Sequence, residues 1–253
     1  MHMTPPAAPP STPPAPAPAS AAALAPAGHP SALAVFWATW RRDLRIEWRE
    51  RQALNAMLFY ALLVIVIFSF AFEAQAALTV RVGGGLLWVA FLFAGLLALD
   101  RAFARETAGD CLTGLAISPA SRAAALAGKF SAAFVLMLAI EGVILPLFAV
   151  LFNAPPGARW GGILLTAVLG TWALAETGTY FSALGAHARQ RTLLLPLLLL
   201  PVAIPAVIAM VQATQVYLHG QGGAGFWLQL LAAYDAIFTA LGVLLADVVL
   251  EVE

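Results

Sequence analysis

Six apolar runs, each at or near the length of a membrane crossing, leave this chain little chance of folding as a water-soluble protein. They cover residues 54–72, 83–99, 130–152, 161–184, 192–211 and 226–249. A transmembrane helix needs about 20 predominantly apolar residues, so 83–99 is slightly short and the others suffice. Backbone polar groups in lipid must be paired internally, which restricts the runs to helices or to a closed barrel. None of them alternates with the period of two that a barrel needs. The chain is 62% hydrophobic and 10% charged, against about 25% charged in a soluble domain. The sequence therefore predicts an all-α, polytopic membrane protein with six transmembrane helices. Its formal net charge of +0 offers no basic field for nucleic acid.

Lysine and arginine placement sets the expected orientation. Arg41, Arg42, Arg45, Arg49 and Arg51 precede the first run. Arg101, Arg105, Arg122 and Lys129 lie between the second and third, and Arg189 and Arg191 between the fourth and fifth. The remaining connections hold only Arg81 and Arg159. Eleven basic residues against two place both termini in the cytoplasm. The single cysteine, Cys111, then faces a reducing compartment and cannot form a disulfide within the chain.

Residues 1–30 form a proline- and alanine-rich tract expected to be disordered. It lacks the basic start and apolar core of a signal peptide. Residues 31–253 make up the six-helix membrane domain. Within it, 31–52 reads as an amphipathic helix: Leu33, Trp37, Trp40, Leu44 and Trp48 fall on one stripe, with Arg42, Arg45 and Arg49 opposite. Tryptophan on one side and arginine on the other fits a helix lying in the membrane interface. The alternative is a cytoplasmic extension of the first span.

The connection Arg101–Pro119 is the one sizeable polar interruption between the apolar runs, yet it carries Leu112, Leu115 and Ile117. A mere linker would not need them. A short helix seated in a groove of a soluble partner would; an amphipathic helix resting on headgroups is the plainer alternative.

Four acids lie within or at the edges of the runs: Glu141, Glu176, Asp235 and Asp247. A charge at the centre of a lone helix costs roughly 2.5–3.5 kcal/mol, so each should face protein or water. At 1.5 Å per residue, Glu141 and Glu176 are both about 12–17 Å from the cytoplasmic end and could share a layer. Asp235, beside Tyr234, reaches a comparable depth from the other side. Glu141, Glu176 and Asp235 either line a substrate or conformational pathway or make interhelical hydrogen bonds. Asp247 reads as a solvated end charge. Pro196, Pro201 and Pro205 punctuate the fifth run, where each removes an internal hydrogen bond. A broken or mobile helix is expected there, with a static kink as the alternative.

Catalytic and cofactor motifs are missing. Gly128-Lys129 has Ala123 where a phosphate-binding loop needs its first glycine and Phe130 where it needs a hydroxyl. No H-E-x-x-H or G-x-S-x-G occurs. His2, His29, His187 and His219 are scattered, so no metal or haem-iron site is expected. His219, in the outer connection 212–225, reads as an ordinary surface residue. The chain should not be an enzyme, and any nucleotide hydrolysis belongs to another subunit.

Six spans, an interfacial N-terminal helix and a cytoplasmic helix between spans two and three resemble the permease subunits of ABC-2-type transporters. That family's pattern E-x-x-G-[DT]-x-L-x-x-L…P, its coupling helix, is matched by Glu106, Gly109, Asp110, Leu112, Leu115 and Pro119. A closer resemblance, from Phe36 to Glu253, is to the haem exporter protein B (CcmB) family. Four segments carry it: Gly85 to Arg101, Leu112 to Pro119 with Gly128-Lys129, Leu200 to Pro205, and Leu230 to Phe238.

The resemblance implies a multi-pass protein of the bacterial inner membrane serving cytochrome c maturation. It implies an ABC ATPase partner, in two copies, that meets Arg105, Glu106, Gly109, Asp110, Leu112, Leu115 and Pro119. It also implies a haem-handling membrane protein and a periplasmic haem chaperone. No cofactor is expected on the chain itself; haem is the possible cargo and ATP acts through the partner. Glu141, Glu176, Pro201, Pro205, Tyr234 and Asp235 would serve a pathway or helix packing. Either haem export or release of haem-loaded chaperone could be driven in this way. A permease of the same architecture for a lipid, drug or polysaccharide, or an ATPase-free scaffold or ion pathway built on the buried acids, are the rival readings.

Overall fold

The computed structural model describes residues 31–72, 76–108, 122–185, 191–220 and 222–249. Seven helices account for most of them: α1 (Ala32–Glu50), α2 (Gln52–Phe72), α3 (Ala76–Ala108), α4 (Arg122–Leu151), α5 (Trp160–Gly185), α6 (Arg191–Leu218) and α7 (Gly225–Val249). The all-helical class expected from the sequence is what the described residues form. Four stretches are long and apolar enough to cross a membrane: Leu54–Ala71, Ala123–Leu151, Pro196–Leu218 and Gly225–Leu244. In α3 the apolar part, Val82–Leu97, is shorter.

The helix α5 touches α3, α4, α6 and α7, and its composition fits that central place. Its small residues let neighbouring backbones approach. Thr166, Thr177 and Thr179 donate their hydroxyls back to the carbonyls of Gly162, Ala173 and Ala175, at 2.9, 2.6 and 2.6 Å. Each of these polar side chains is thereby satisfied within its own helix and packs as a small apolar group. Gly170 lies against Met210 of α6, Gly178 against Leu99 of α3, and Gly242 of α7 against Tyr180; a Cβ at any of the three glycines would overlap its neighbour.

Around this centre Met57, Ile65, Trp88, Phe91, Met137, Ile144, Met210 and Leu231 form one core. Trp88 Nε1 donates to Thr214 Oγ1 at 2.8 Å, tying α3 to α6. The outer surface is also apolar: Phe59, Phe70, Leu164, Leu197, Val243 and Leu244 are exposed. A soluble monomer rarely shows so extended an apolar exterior, and a bilayer covers it at no cost.

Two connections interlock at one end of the bundle. Arg159 N donates to Tyr217 O at 2.9 Å. Gly220, with φ of 68°, sits so close to Gly157 that a Cβ would lie 2.8 Å from its carbonyl oxygen.

Three expectations need correction. The prolines do not break α6, which is helical from Arg191 to Leu218 with Pro196, Pro201 and Pro205 inside it. Neighbouring helices can satisfy the backbone groups that a membrane proline frees. Because α6 continues to Leu218, the connection to α7 is shorter than the expected 212–225. Several helices also outrun their apolar runs: α3 begins before residue 83 and continues past 99, and α4 begins before 130.

Candidate functional site

At its start α1 is capped by Ser31, whose side chain accepts from Ala34 N at 3.3 Å. The helix then docks on α4 through its polar flank. Thr39 is buried, and Asp43 Oδ2 meets Lys129 Nζ at 3.2 Å. The approach is closest at Gly128, where a Cβ would lie 2.9 Å from Phe36 O and 3.0 Å from Thr39 Cβ. Only a residue without a side chain lets the two helices touch here.

The same flank fixes the turn into α2. Arg51 adopts the left-handed conformation (φ 51°) and its N–H donates to Glu47 O at 2.7 Å. The buried Glu47 carboxylate then accepts from Leu54 N at 3.2 Å. A carboxylate at the start of a helix satisfies a donor that lacks an intrahelical partner and complements the helix dipole. Leu33, Trp37, Ile46 and Trp48 stay exposed, with the Arg41 and Arg51 guanidinium groups over the rings of Trp37 and Trp48. Trp40 and Leu44 are half-buried, so the stripe seen in the sequence divides between protein and surroundings.

The buried acids separate into two sites. Glu141 of α4 accepts a hydrogen bond through Oε2 from Thr171 Oγ1 of α5 at 2.6 Å, while its Oε1 has no partner among the described residues. Glu176 lies on another side of α5, in the stripe Trp172, Glu176, Tyr180, which faces Asp235, Thr239 and Gly242 of α7. The Glu176 carboxyl lies beside the Trp172 indole and the Thr239 hydroxyl, and Asp235 precedes Thr239 by one turn of α7. Trp172 Nε1 donates to Thr239 Oγ1 at 3.4 Å, and the ring packs edge-on to Phe130 and Phe134 of α4. Neither carboxyl oxygen of Asp235 has a hydrogen-bond partner among the described residues, nor does Glu176 Oε2. Glu176 and Asp235 are 2% and 8% exposed, respectively, so these oxygens are also withheld from solvent.

The α6 prolines meet this region through Tyr234, which points to α6 rather than to the acids. Its hydroxyl donates to Val202 O at 3.1 Å, within the turn that precedes Pro205. Pro205 lacks the N–H that would bond the Pro201 carbonyl, and the tyrosine supplies a donor next to that gap. Pro201 and Pro205 are exposed on the outer side of the helix.

Arg105 and Glu106 fall in the last turns of α3, whose backbone is described there but whose side chains are not. Gly109, Asp110, Leu112, Leu115 and Pro119 lie outside the described residues, as do Cys111, His187 and residues 1–30. Sequence reasoning passed over Asp43, Glu47, Thr171, Tyr180 and Thr239. The i, i+4 pair Asp43 and Glu47, in line with Thr39, was a signal that one flank of an amphipathic helix met protein. The threonines of the fourth apolar run similarly marked α5 as interior.

The CcmB protein family model matches residues 34–252. Among curated proteins, Heme exporter protein B of Bradyrhizobium diazoefficiens is 34% identical over 208 residues, covering 80% of this chain and 90% of that protein. Heme exporter protein B of Rhodobacter capsulatus is 34% identical over 168 residues, 66% of this chain and 76% of that protein. Heme exporter protein B of Pseudomonas aeruginosa is 32% identical over 209 residues, 81% of this chain and 92% of that protein.

Proposed function

The chain belongs to the CcmB family, and from that premise we propose that it is the membrane permease subunit of an ABC transporter required for cytochrome c biogenesis. It is a multi-pass inner-membrane protein in which α2 to α7 make six crossings, with both termini in the cytoplasm. The observation that carries the reading is the match over residues 34–252 to a family whose relatives bear the name Heme exporter protein B. The chain contributes no catalytic residue of its own. Hydrolysis belongs to a partner ATPase, present in two copies, that docks on the segment from Arg105 to Pro119.

Nucleotide moves these helices only if the partner binds one arrangement of them better than another. The contacts of α1 support a route for that preference. The segment 109–121 leads directly into α4, whose first turns are held to α1 by Asp43–Lys129 and by the close approach at Gly128. Through Glu47, α1 is in turn fixed to the start of α2. A pull on the segment therefore reaches α2 and α4 together. The exposed tryptophans of α1 rest in the headgroup layer beside this junction.

The driven event is haem export or the release of a haem-loaded periplasmic chaperone, with a haem-handling membrane protein as the further partner. Haem is cargo on this reading and has no resident site in the chain. Deletion of the gene tests it: c-type cytochromes should disappear and return on complementation with the full chain. Normal c-type cytochromes in the deletion strain, with loss of a lipid, drug or polysaccharide export instead, would move the protein to another cargo.

A further inference from the structure

We propose that α1 binds anionic phospholipid through a row of arginines on the flank that it turns away from the bundle. The helical period builds this row from charges that alternate in the sequence. Arg41, Asp43, Arg45, Glu47 and Arg49 occupy every second position. At about 100° per residue, each step of two carries a side chain to the far side of the helix. The two acids therefore share one flank and the three arginines the other.

Protein covers the acid flank. Thr39 and Glu47 are buried, Asp43 Oδ2 meets Lys129 Nζ at 3.2 Å, and the Glu47 carboxylate accepts from Leu54 N at 3.2 Å. Arg41, Arg45 and Arg49 stay exposed, and neither Arg45 nor Arg49 meets an acid among the described residues. Glu50 is the single exposed acid of the helix. The three arginines follow at i, i+4 and i+8, a line of about 12 Å. Like charges at that spacing repel, a cost that an anion lying along the row removes.

The surroundings select a lipid as that anion. Helix α1 ends at Glu50 and the apolar crossing of α2 begins at Leu54, so the row lies at the membrane boundary. Leu33, Trp37 and Trp48 are exposed on the stripe beside it, which a headgroup layer covers and a purely polar anion does not. The Arg41 guanidinium lies 5.5 Å from the centre of the Trp37 ring, which holds a charge at the margin of that stripe. A phosphodiester with its acyl chains meets both parts, and the planar guanidinium fork matches its oxygens. A zwitterionic headgroup brings its own cation to the row, whereas an anionic one does not. The inference rests on the placement of α1 in the headgroup layer and not on the cargo.

Quenching of tryptophan fluorescence by brominated lipid tests it in the full-length chain, reconstituted in phosphatidylcholine vesicles. A minor share of brominated phosphatidylglycerol should quench more than the same share of brominated phosphatidylcholine. The expected local preference is roughly fivefold, the weight of about one basic side chain near an anionic surface. The excess should vanish when Trp37, Trp40 and Trp48 are all replaced by phenylalanine, and when Arg41, Arg45 and Arg49 are all replaced by glutamine. It should survive replacement of the same arginines by lysine, and inorganic phosphate at matched ionic strength should not displace it. Equal quenching by the two lipids in the unsubstituted chain would overturn the site, and that comparison does not depend on a variant folding. So would an excess that outlasts loss of the α1 tryptophans or of the arginines, its loss in the lysine chain, or its displacement by phosphate. Equal quenching of the α1 tryptophans by both lipids removes the preference alone; quenching by neither removes the headgroup placement as well. Neither haem nor ATPase enters the measurement, so the transport reading stands or falls separately.

Discussion

Thr171 Oγ1 of α5 donates to Glu141 Oε2 of α4 at 2.6 Å in the interior of the bundle, joining two helices through one buried hydrogen bond. An acid in an apolar run invites a pathway reading, yet this one has a fixed partner on the neighbouring helix. Replacing Thr171 by valine keeps the shape and removes the donor. The expected loss is about 1–3 kcal/mol, the cost of leaving a buried acceptor unmade. Thr171→Ser should restore most of it. Unfolding of the purified protein in detergent, compared among the three, checks the difference.

The contact between α1 and α4 depends on the absence of a side chain at Gly128. Thr39 Cβ would lie 3.0 Å from a Cβ placed at Gly128. Gly128→Leu should therefore push α1 away from α4, and Gly128→Ala should do so less. In a chain carrying Cys111→Ser and Thr39→Cys, labelling of position 39 by a water-soluble maleimide should be slow with glycine at 128 and fastest in Gly128→Leu. Equal labelling in all three, read by mass shift, would show that α1 does not dock there.

Glu47 closes the corner between α1 and α2 by accepting from Leu54 N. Truncation to alanine should cost about 0.5–2 kcal/mol, as for other helix N-terminal caps. Glu47→Gln keeps an acceptor oxygen and should lose less. Limited proteolysis around Arg51, in membranes, is expected to be faster in Glu47→Ala than in Glu47→Gln.

How much of this was legible in the sequence depends on whether a property was local. The apolar runs gave the helices, because lipid demands internal backbone pairing, but not their ends, since α3 continues beyond its apolar part and α4 begins before residue 130. The prolines of α6 suggested a break. The structure keeps the helix whole, with Tyr234 donating to Val202 near the gap at Pro201, and that partner lies 32 residues away in sequence. Depth alone put Glu141 and Glu176 in one layer. Glu141 meets α5 at Thr171, whereas Glu176 lies on another side of α5, and that rotation is fixed by the neighbours rather than by the run itself. The α1 stripe was visible from its period, whereas its docking flank of Thr39, Asp43 and Glu47 depended on the glycine at position 128.

Coupling to a partner ATPase is tested most directly by affinity purification of the full chain from native membranes, with and without Leu112→Asp and Leu115→Asp. The unsubstituted chain should bring down an ATPase subunit. The double variant should reach the membrane at the same level and bring down about tenfold less or lower, equal to ~1.4 kcal/mol or more of lost affinity. An ATPase recovered equally with both would contradict the assignment of Arg105–Pro119 as the docking segment.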